Sequence, residues 1–335
     1  MVNYKSDVED VYFNYKYAKL CELIEHGKAE KYIFENENGV IYYQYIKRLI
    51  PVSVDDIDYY DIITPYGYGG PLIIRCIQGK QAQLINEFNK SFISKCKENR
   101  IVSEFIRFHP ILKNYMFFKD IYNPIFLRNT VAINLSKKDI LMDEFSRSCR
   151  NKVRKGKKSS VNIEFDFNCN SIDAFYDIYI ETMKKNNASN FYFFPLDYFK
   201  YAKNHLKDYF FIVNARLDSK IIASSIFLHT DNYLHWHLGG TLPNYYCYAS
   251  DNLILYEVAK WGKKTNKKYI HLGGGFTNSE DDGLFIFKKS FTKDTVFDFY
   301  IGKRILNQNI YDLLTIKKRK NKREMHRDFF PEYRA

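Results

Sequence analysis

Between Val161 and Tyr300 the sequence reads as strand, two helices, three antiparallel strands, helix, strand, helix, strand, and few folds accommodate that order. VNIEFDF (Val161–Phe167) alternates as a strand, and helices are expected from Ser171 to about Asn186 and near Leu196–Leu206. Strands follow at Tyr209–Leu217, Ile221–His229 and Tyr233–Gly239, the first two joined by a tight Asp218-Ser219 turn. A helix capped at Ser250 or Asp251 runs through Leu253–Lys264. The strand KKYIHL then ends in Gly273-Gly274-Gly275, followed by a short helix at Leu284–Phe291 and a strand at Thr295–Tyr300.

The first half also mixes strands and helices. YIFENENGVIYYQYIKRLIPV reads as a β-hairpin around Asn38-Gly39, a pair that tolerates positive φ. A strand at Tyr59–Ile63 leads into the turn Thr64–Pro71. A helix from Gln81 to Asn99 follows, with Leu84, Ile85, Phe88, Phe92 and Ile93 on one stripe. Strands are expected at Ile101–Phe108 and Thr130–Leu135, and a charged helix from Lys138 to about Lys155 joins the halves. The similar order of hairpin, strand, helix and strand in both halves points to an internal structural duplication. A last helix, Gln308–Lys322, should pack Tyr311, Leu313 and Leu314 back onto the first half.

At 335 residues, 46% of them hydrophobic and 27% charged, the chain is globular and long enough for two domains. MVNYKSDVED lacks the apolar core of a signal peptide, and no apolar run nears the ~20 residues of a membrane span, so a cytoplasmic location is expected. The six cysteines are scattered with no zinc spacing, so no metal is expected. The net charge of +12 favours a polyanionic partner, concentrated in the runs Arg147–Lys158 and Lys317–Arg327.

Several motifs together resemble the FemABX aminoacyl transferases of peptidoglycan synthesis, acyltransferases of the GNAT fold, and their shorter relatives associated with surface polysaccharides. These are Tyr233-Leu-His-Trp-His237, Ala249-Ser-Asp-Asn252, His271-Leu-Gly-Gly-Gly275 and Gly283-Leu-Phe-Ile-Phe-Lys-Lys-Ser-Phe291. The first half adds Pro65-Tyr-Gly-Tyr-Gly-Gly-Pro71, Arg107-Phe-His-Pro110 and the Arg147/Arg150/Arg154/Lys155 spacing. The resemblance implies an α/β (α+β) protein of two tandem GNAT-like domains, with mixed central sheets flanked by helices. Residues 1–150, completed by 303–335, would form the acceptor-side domain, and residues 151–302 the acyltransferase domain. The acceptor would lie in the cleft between them, and the donor at the splayed strands of the second.

By the same resemblance Lys288 stands beside the transferred acyl group, where an ammonium would stabilise the tetrahedral oxyanion by ~2–4 kcal/mol. The alternative for Lys288 is a solvated lysine on a helix whose core stripe is Phe285, Phe287 and Phe291. His235 and His237 share a strand face opposite Trp236, and His237, nearer the splayed end, is the preferred general base. Ser250, Asp251, Asn252, Gly274 and Phe287 are donor-side candidates. On the acceptor side, Tyr66 and Tyr68 offer aromatic faces and hydroxyls to a sugar, while Gly69 and Gly70 allow close backbone approach. Arg107 and His109 could fork a carboxylate or phosphate, or pair within the protein, and Tyr192 joins this group.

Two departures narrow the reading. The loop before the Ser250 helix, Leu242–Ala249, has no glycine, unlike the pyrophosphate loop of coenzyme A-dependent GNAT enzymes. Gly70-Pro71 is followed by Leu72-Ile73 rather than an acid, and the coiled-coil insertion of some FemABX enzymes is missing. The expected function is acyl transfer to an amine or hydroxyl of a cell-envelope glycan precursor or nucleotide-linked amino sugar. Aminoacyl-tRNA or an acyl thioester such as acyl-CoA would serve as co-substrate, with no permanently bound cofactor. Partners would be that precursor, lipid-linked or not, with tRNA and contact with the inner face of an anionic membrane as further options, and no DNA. The alternative is a non-catalytic binder of nucleic acid or anionic glycan on a GNAT-like scaffold.

Overall fold

The computed structural model describes residues 10–321 and 329–335, so most of the basic run after Lys317 lies outside the described residues. In chain order the elements are α1 (Tyr15–Glu25), β1 (Lys28–Asn36), β2 (Gly39–Leu49), β3 (Tyr60–Ile63), β4 (Leu72–Cys76), α2 (Gln81–Glu98), β5 (Ile101–Arg107), α3 (Lys119–Tyr122) and β6 (Ile125–Asn134). They continue with α4 (Ile140–Asp143), α5 (Arg147–Lys158), β7 (Val161–Asp166), α6 (Ile172–Lys185), α7 (Leu196–His205), β8 (Phe210–Leu217), β9 (Lys220–His229) and β10 (Tyr233–Thr241). The last are α8 (Ser250–Lys264), β11 (Tyr269–Gly273), α9 (Gly283–Lys289), β12 (Val296–Ile305) and α10 (Gln308–Asn321).

Two compact units result, one of residues 1–20 and 128–298, the other of residues 21–127 and 299–335. The divisions therefore fall at 20, 127 and 298, where the sequence suggested 150 and 302. Residues 10–20 join the later unit because Val11, Phe13 and Tyr17 are fully buried, and the Asp10 side chain pairs with His235.

In the unit containing residues 128–298 the strand order is β6, β11, β10, β9, β8, β7. β7, β8, β9 and β10 pair antiparallel, whereas β10 and β11 run parallel. That parallel pairing covers only Tyr233–His235 against Tyr269–His271. Beyond it β10 continues along β9 to Thr241, with a bulge at Trp236/Leu238, while β11 continues along β6 to Gly273. The two strands diverge from that point, next to Trp236 and His237 on β10 and Leu272 and Gly273 on β11. α8 buries Leu253, Ile254, Leu255 and Val258 in a core shared with Phe145, Val153, Phe211 and Phe291.

In the other unit β1, β2, β3, β5 and the later part of β12 lie in that order, with β4 also on β2. The hairpin forms, but its turn is Glu37-Asn38 without positive φ at either residue. The Asn36 side chain accepts hydrogen bonds from the Asn38 and Gly39 amides and shapes the turn instead. α2 buries Leu84, Ile85, Phe88, Phe92 and Cys96, whereas Ile93 is exposed, because Cys96 rather than Ile93 continues the i, i+4 row. Tyr311 and Leu314 of α10 are buried with Ile50, Val54, Val102 and Tyr333, while Leu313 faces solvent. The charged helix expected from Lys138 to Lys155 is two helices, since Ser146 caps a new one by accepting from the Cys149 amide. α1 and β4 were not expected from the sequence.

Candidate active site

The site begins with a tight crossing at the end of β11. A Cβ on Gly274 would lie 2.9 Å from Arg128 Cδ and 3.1 Å from the Asn129 oxygen, and one on Gly275 would lie 2.5 Å from Asp282 Oδ1. Both positions therefore need glycine. The Arg128 guanidinium donates to the Gly275 carbonyl at 2.7 Å. Asp282 caps α9 by accepting from the Phe285 amide and also takes the Thr277 amide and hydroxyl. Burial would raise the Asp282 carboxyl, but the hydrogen bonds from Thr277, Phe285 and Leu284 hold it below the ordinary value.

α9 delivers Lys288 to this crossing. Its Nζ donates to the Gly274 carbonyl at 2.7 Å and stands 5.7 Å from the centre of the Trp236 ring. Lys288 is 9% exposed, so it is not the solvated helix lysine that was the alternative. Burial pushes its ammonium down to about 7, Asp282 opposing the shift and Arg128 adding to it. Phe287 packs on Trp236, Phe285 and Phe287 border the core and Phe291 is inside it, as the stripe required. Lys289 is half-buried and donates to the Lys293 carbonyl at 3.3 Å.

The histidines serve a different set of partners. His235 Nε2 lies 2.7 Å from Asp10 Oδ2, with the ring edge-on to Tyr12 and to His271, and His271 in turn pairs with the Thr130 hydroxyl. His237 Nε2 lies 2.9 Å from the Tyr198 hydroxyl, with Tyr17 edge-on at 6.2 Å. Burial, and then the neighbouring His235, push the His237 imidazole down to about 3. That direction runs against the preference for His237 as general base. Lys288 meets Trp236 and Gly274, whereas His237 meets Tyr198 and Tyr17.

Of the donor-side candidates, Gly274 and Phe287 are at the crossing, whereas Ser250, Asp251 and Asn252 open α8. Asp251 accepts from the Thr241 hydroxyl, and burial raises its carboxyl above the ordinary value despite that bond. Asn252 donates to the Cys149 sulfur at 3.4 Å. Tyr192 is 36% exposed, and its carbonyl accepts from the Tyr179 hydroxyl.

Of the acceptor-side candidates, Tyr192 belongs to the unit of residues 128–298, and the others lie in the other unit. Tyr68 is nearly buried, edge-on to His109 and Phe299, whereas Tyr66 is half-buried. The Gly69 amide donates to the Arg107 carbonyl at 2.7 Å, and Gly70 adopts φ +92°. Arg107 is already engaged, donating at 2.7 Å to both Glu25 and the Thr64 carbonyl, so internal pairing, not ligand forking, is its observed state. His109 is fully buried and accepts from the Leu112 amide. Asp10, Arg128, Tyr198 and Asp282 were missed; only Asp282 had a local signal, as an acid at a helix start.

The model of the acetyltransferase (GNAT) domain family matches residues 144–281. That stretch is similar to a GNAT domain. Over 173 residues, 51% of this chain, the sequence is 22% identical to the UDP-N-acetylmuramoylpentapeptide-lysine N(6)-alanyltransferase of Weissella viridescens, and the match spans 50% of that relative's length. The crystal structure of FemX superposes with a TM-score of 0.68 at 14% identity, covering 91% of this chain and 94% of FemX. The structure of L-PGS from Bacillus licheniformis gives 0.53 at 13% identity, covering 87% and 92%. The FemABX-like fold thus extends along nearly the whole chain, beyond the GNAT domain itself. Among the described residues no helix is long and apolar enough to cross a membrane.

Proposed function

We propose that the protein transfers an aminoacyl or acyl group from an ester or thioester donor to an amine of a cell-envelope precursor, a lipid-linked glycan or a nucleotide-linked amino sugar. The observation that carries this reading is the buried Lys288 ammonium on the Gly274 carbonyl, at the divergence of β10 and β11. In this reading the acceptor nitrogen attacks the donor carbonyl carbon, and the carbonyl oxygen takes the negative charge of the tetrahedral intermediate. Lys288 donates to that oxygen from a dry setting, where a charge-assisted hydrogen bond is strongest. Collapse breaks the bond to the departing oxygen or sulfur, which takes up one proton as the acceptor nitrogen loses one. With its ammonium held at about 7, Lys288 can supply that proton near neutral pH. His237, held at about 3, is too weak a base to take the acceptor's proton, which passes to water, and Lys288 regains its own proton from water.

The acceptor-side role of Tyr66, Gly69 and Gly70 stays part of this proposal, supported by the positive φ of Gly70 and the half-buried Tyr66. The alanyltransferase relative favours an aminoacyl donor, and the glycine-free loop before α8 speaks against ordinary coenzyme A binding. The test is a donor screen with the purified protein. Labelled product from charged tRNA or from acyl-CoA, on any muropeptide or amino-sugar precursor, is the expected result. No product with either donor across the panel overturns the reading.

A further inference from the structure

Met116, Phe117, Ile125 and Phe126 are between 46% and 54% exposed, and all four lie on the connection that runs from β5 into the start of β6. Tyr300 ties the two ends of that connection together, with Tyr115 stacked on it at 4.0 Å and Phe126 edge-on at 5.7 Å. Phe118 and Tyr122, from the same stretch, turn inward, Phe118 packing on Phe88 of α2. The four outward side chains therefore flank one aromatic stack and make one apolar patch on the unit of residues 21–127 and 299–335. We infer that this patch seats the protein on an anionic phospholipid bilayer, the apolar side chains entering the boundary between headgroups and acyl chains while Lys113 and Lys119 meet lipid phosphates. The inference rests on the proposed reaction only for what the docking serves, which is access to a lipid-linked acceptor.

Three observations carry it. First, the apolar side chains are accompanied by charge of one sign. Lys113 and Lys119 are exposed on the same connection, and Asp120 is the one acid between Lys113 and Phe126. Apolar side chains beside lysines match a surface that offers acyl chains beneath a layer of phosphates, and the net charge of +12 acts in the same direction.

Second, the backbone is prepared for a dry setting. The amides of Met116, Phe117, Phe118, Ile121, Tyr122 and Asn123 all donate to carbonyls within the connection. Lowering it into the interface therefore strands none of these donors, and a partner strand would find no ladder to pair with along them. Third, the patch is rooted on the turn proposed to meet the acceptor. Asn114 is fully buried, accepts from the His109 amide, and donates to the Gly69 carbonyl at 2.9 Å and the Pro71 carbonyl at 3.0 Å. A bilayer under the patch would present a lipid-linked acceptor beside Tyr66, Gly69 and Gly70.

The test is flotation of the full chain with vesicles of equal parts phosphatidylglycerol and phosphatidylcholine, or of phosphatidylcholine alone. The mixed vesicles should carry about tenfold more protein at low salt, with the difference shrinking as salt is added. Phe117→Ser with Ile125→Ser should cut the bound fraction about tenfold at an unchanged melting temperature. Lys113→Gln with Lys119→Gln leaves the apolar packing untouched and should remove most of the preference for the mixed vesicles. Leu49→Ser with Ile57→Ser, exposed apolar positions near the first residues of β5 rather than beyond its last, should change nothing. No flotation, or equal losses in the Phe117/Ile125 and Leu49/Ile57 variants, overturns the inference. Sedimentation velocity covers the other occupant: a concentration-dependent dimer that the Phe117/Ile125 variant abolishes would assign the patch to a second copy of the chain and overturn it too. Flotation without acyl transfer to any acceptor sinks the proposed reaction and leaves this surface standing. Transfer to a soluble acceptor by a protein that never floats does the reverse.

Discussion

The Lys288 ammonium donates a 2.7 Å hydrogen bond to the Gly274 carbonyl, on the floor of a crossing where neither Gly274 nor Gly275 has room for a side chain. If that ammonium stabilises the transferred carbonyl, Lys288→Met keeps the aliphatic stem and removes only the charge. Turnover should fall about a hundredfold or more, with the melting temperature unchanged or slightly raised. Lys289→Met, one residue along and roughly 100° round the helix, loses only a hydrogen bond to the Lys293 carbonyl and should be nearly silent. Equal activities in the two variants would remove Lys288 from the chemistry.

The same lysine makes stability depend on pH in a definite direction. Its value is about 7 when folded and near 10.5 when unfolded, so between those limits the unfolded chain binds more protons. Stability therefore rises with pH across that window and is flat below it, by an amount on the order of a few kcal/mol over the full span. The melting temperature of the wild type minus that of Lys288→Met should increase from pH 6.5 to pH 9. A constant or falling difference would mean that the ammonium is solvated.

Gly274→Ala tests the crossing itself. The new methyl would meet the Arg128 side chain at 2.9 Å and the Asn129 carbonyl at 3.1 Å, and the backbone oxygen is the contact that cannot move aside. A loss of ~1–3 kcal/mol is expected, with turnover reduced further because the Gly274 oxygen positions Lys288. Arg128→Ala in the same background should recover part of the stability, which thermal melts of the single and double variants would read. No recovery would place the strain on the backbone alone.

Much of the fold was legible because it rests on periodicity. The β8–β9–β10 meander and the α8 and α2 stripes are local patterns, and tertiary packing left them intact. What was lost is what depends on distant chain segments. Nothing in Asp10-Val11-Tyr12-Phe13 signals that these residues bury themselves against His235, because the pairing spans 225 positions. The burial of Lys288 was equally hidden, since a helix lysine reads as solvated until Trp236, Gly274 and Arg128 close around it. β4 escaped notice because Leu-Ile-Ile-Arg-Cys follows a Gly-Pro turn without alternation.

Asp10 and His235 form a buried pair at 2.7 Å, with side-chain exposures of 0% and 2%. Removing one partner of such a pair leaves the other without its hydrogen bond in a dry setting, which costs more than removing both. Asp10→Ala and His235→Ala should each destabilise by ~2–4 kcal/mol, and the double variant by clearly less than the sum. Denaturant unfolding of the four proteins measures the coupling, expected at ~1–3 kcal/mol. Additive effects would show that the N-terminal residues are held by their apolar side chains alone.

Arg304 and Glu104 provide the corresponding test for the unit of residues 21–127 and 299–335. Glu104 is fully buried on β5, and Arg304 reaches it from β12 at 2.6 Å, while Tyr122 donates to its second oxygen and Asn89 accepts from the guanidinium. The Arg304 side chain also lies 4.6 Å over the Tyr122 ring, so it is stacked as well as paired. Arg304→Met preserves much of the stem but strands the Glu104 carboxylate, and the expected cost is ~3–5 kcal/mol. Adding Glu104→Gln removes the stranded charge and should restore at least half of that loss, because the amide can still bond to Tyr122. If the single variant instead melts within a degree or two of the wild type, water must reach Glu104, and β12 would not be anchored to β5 by this pair.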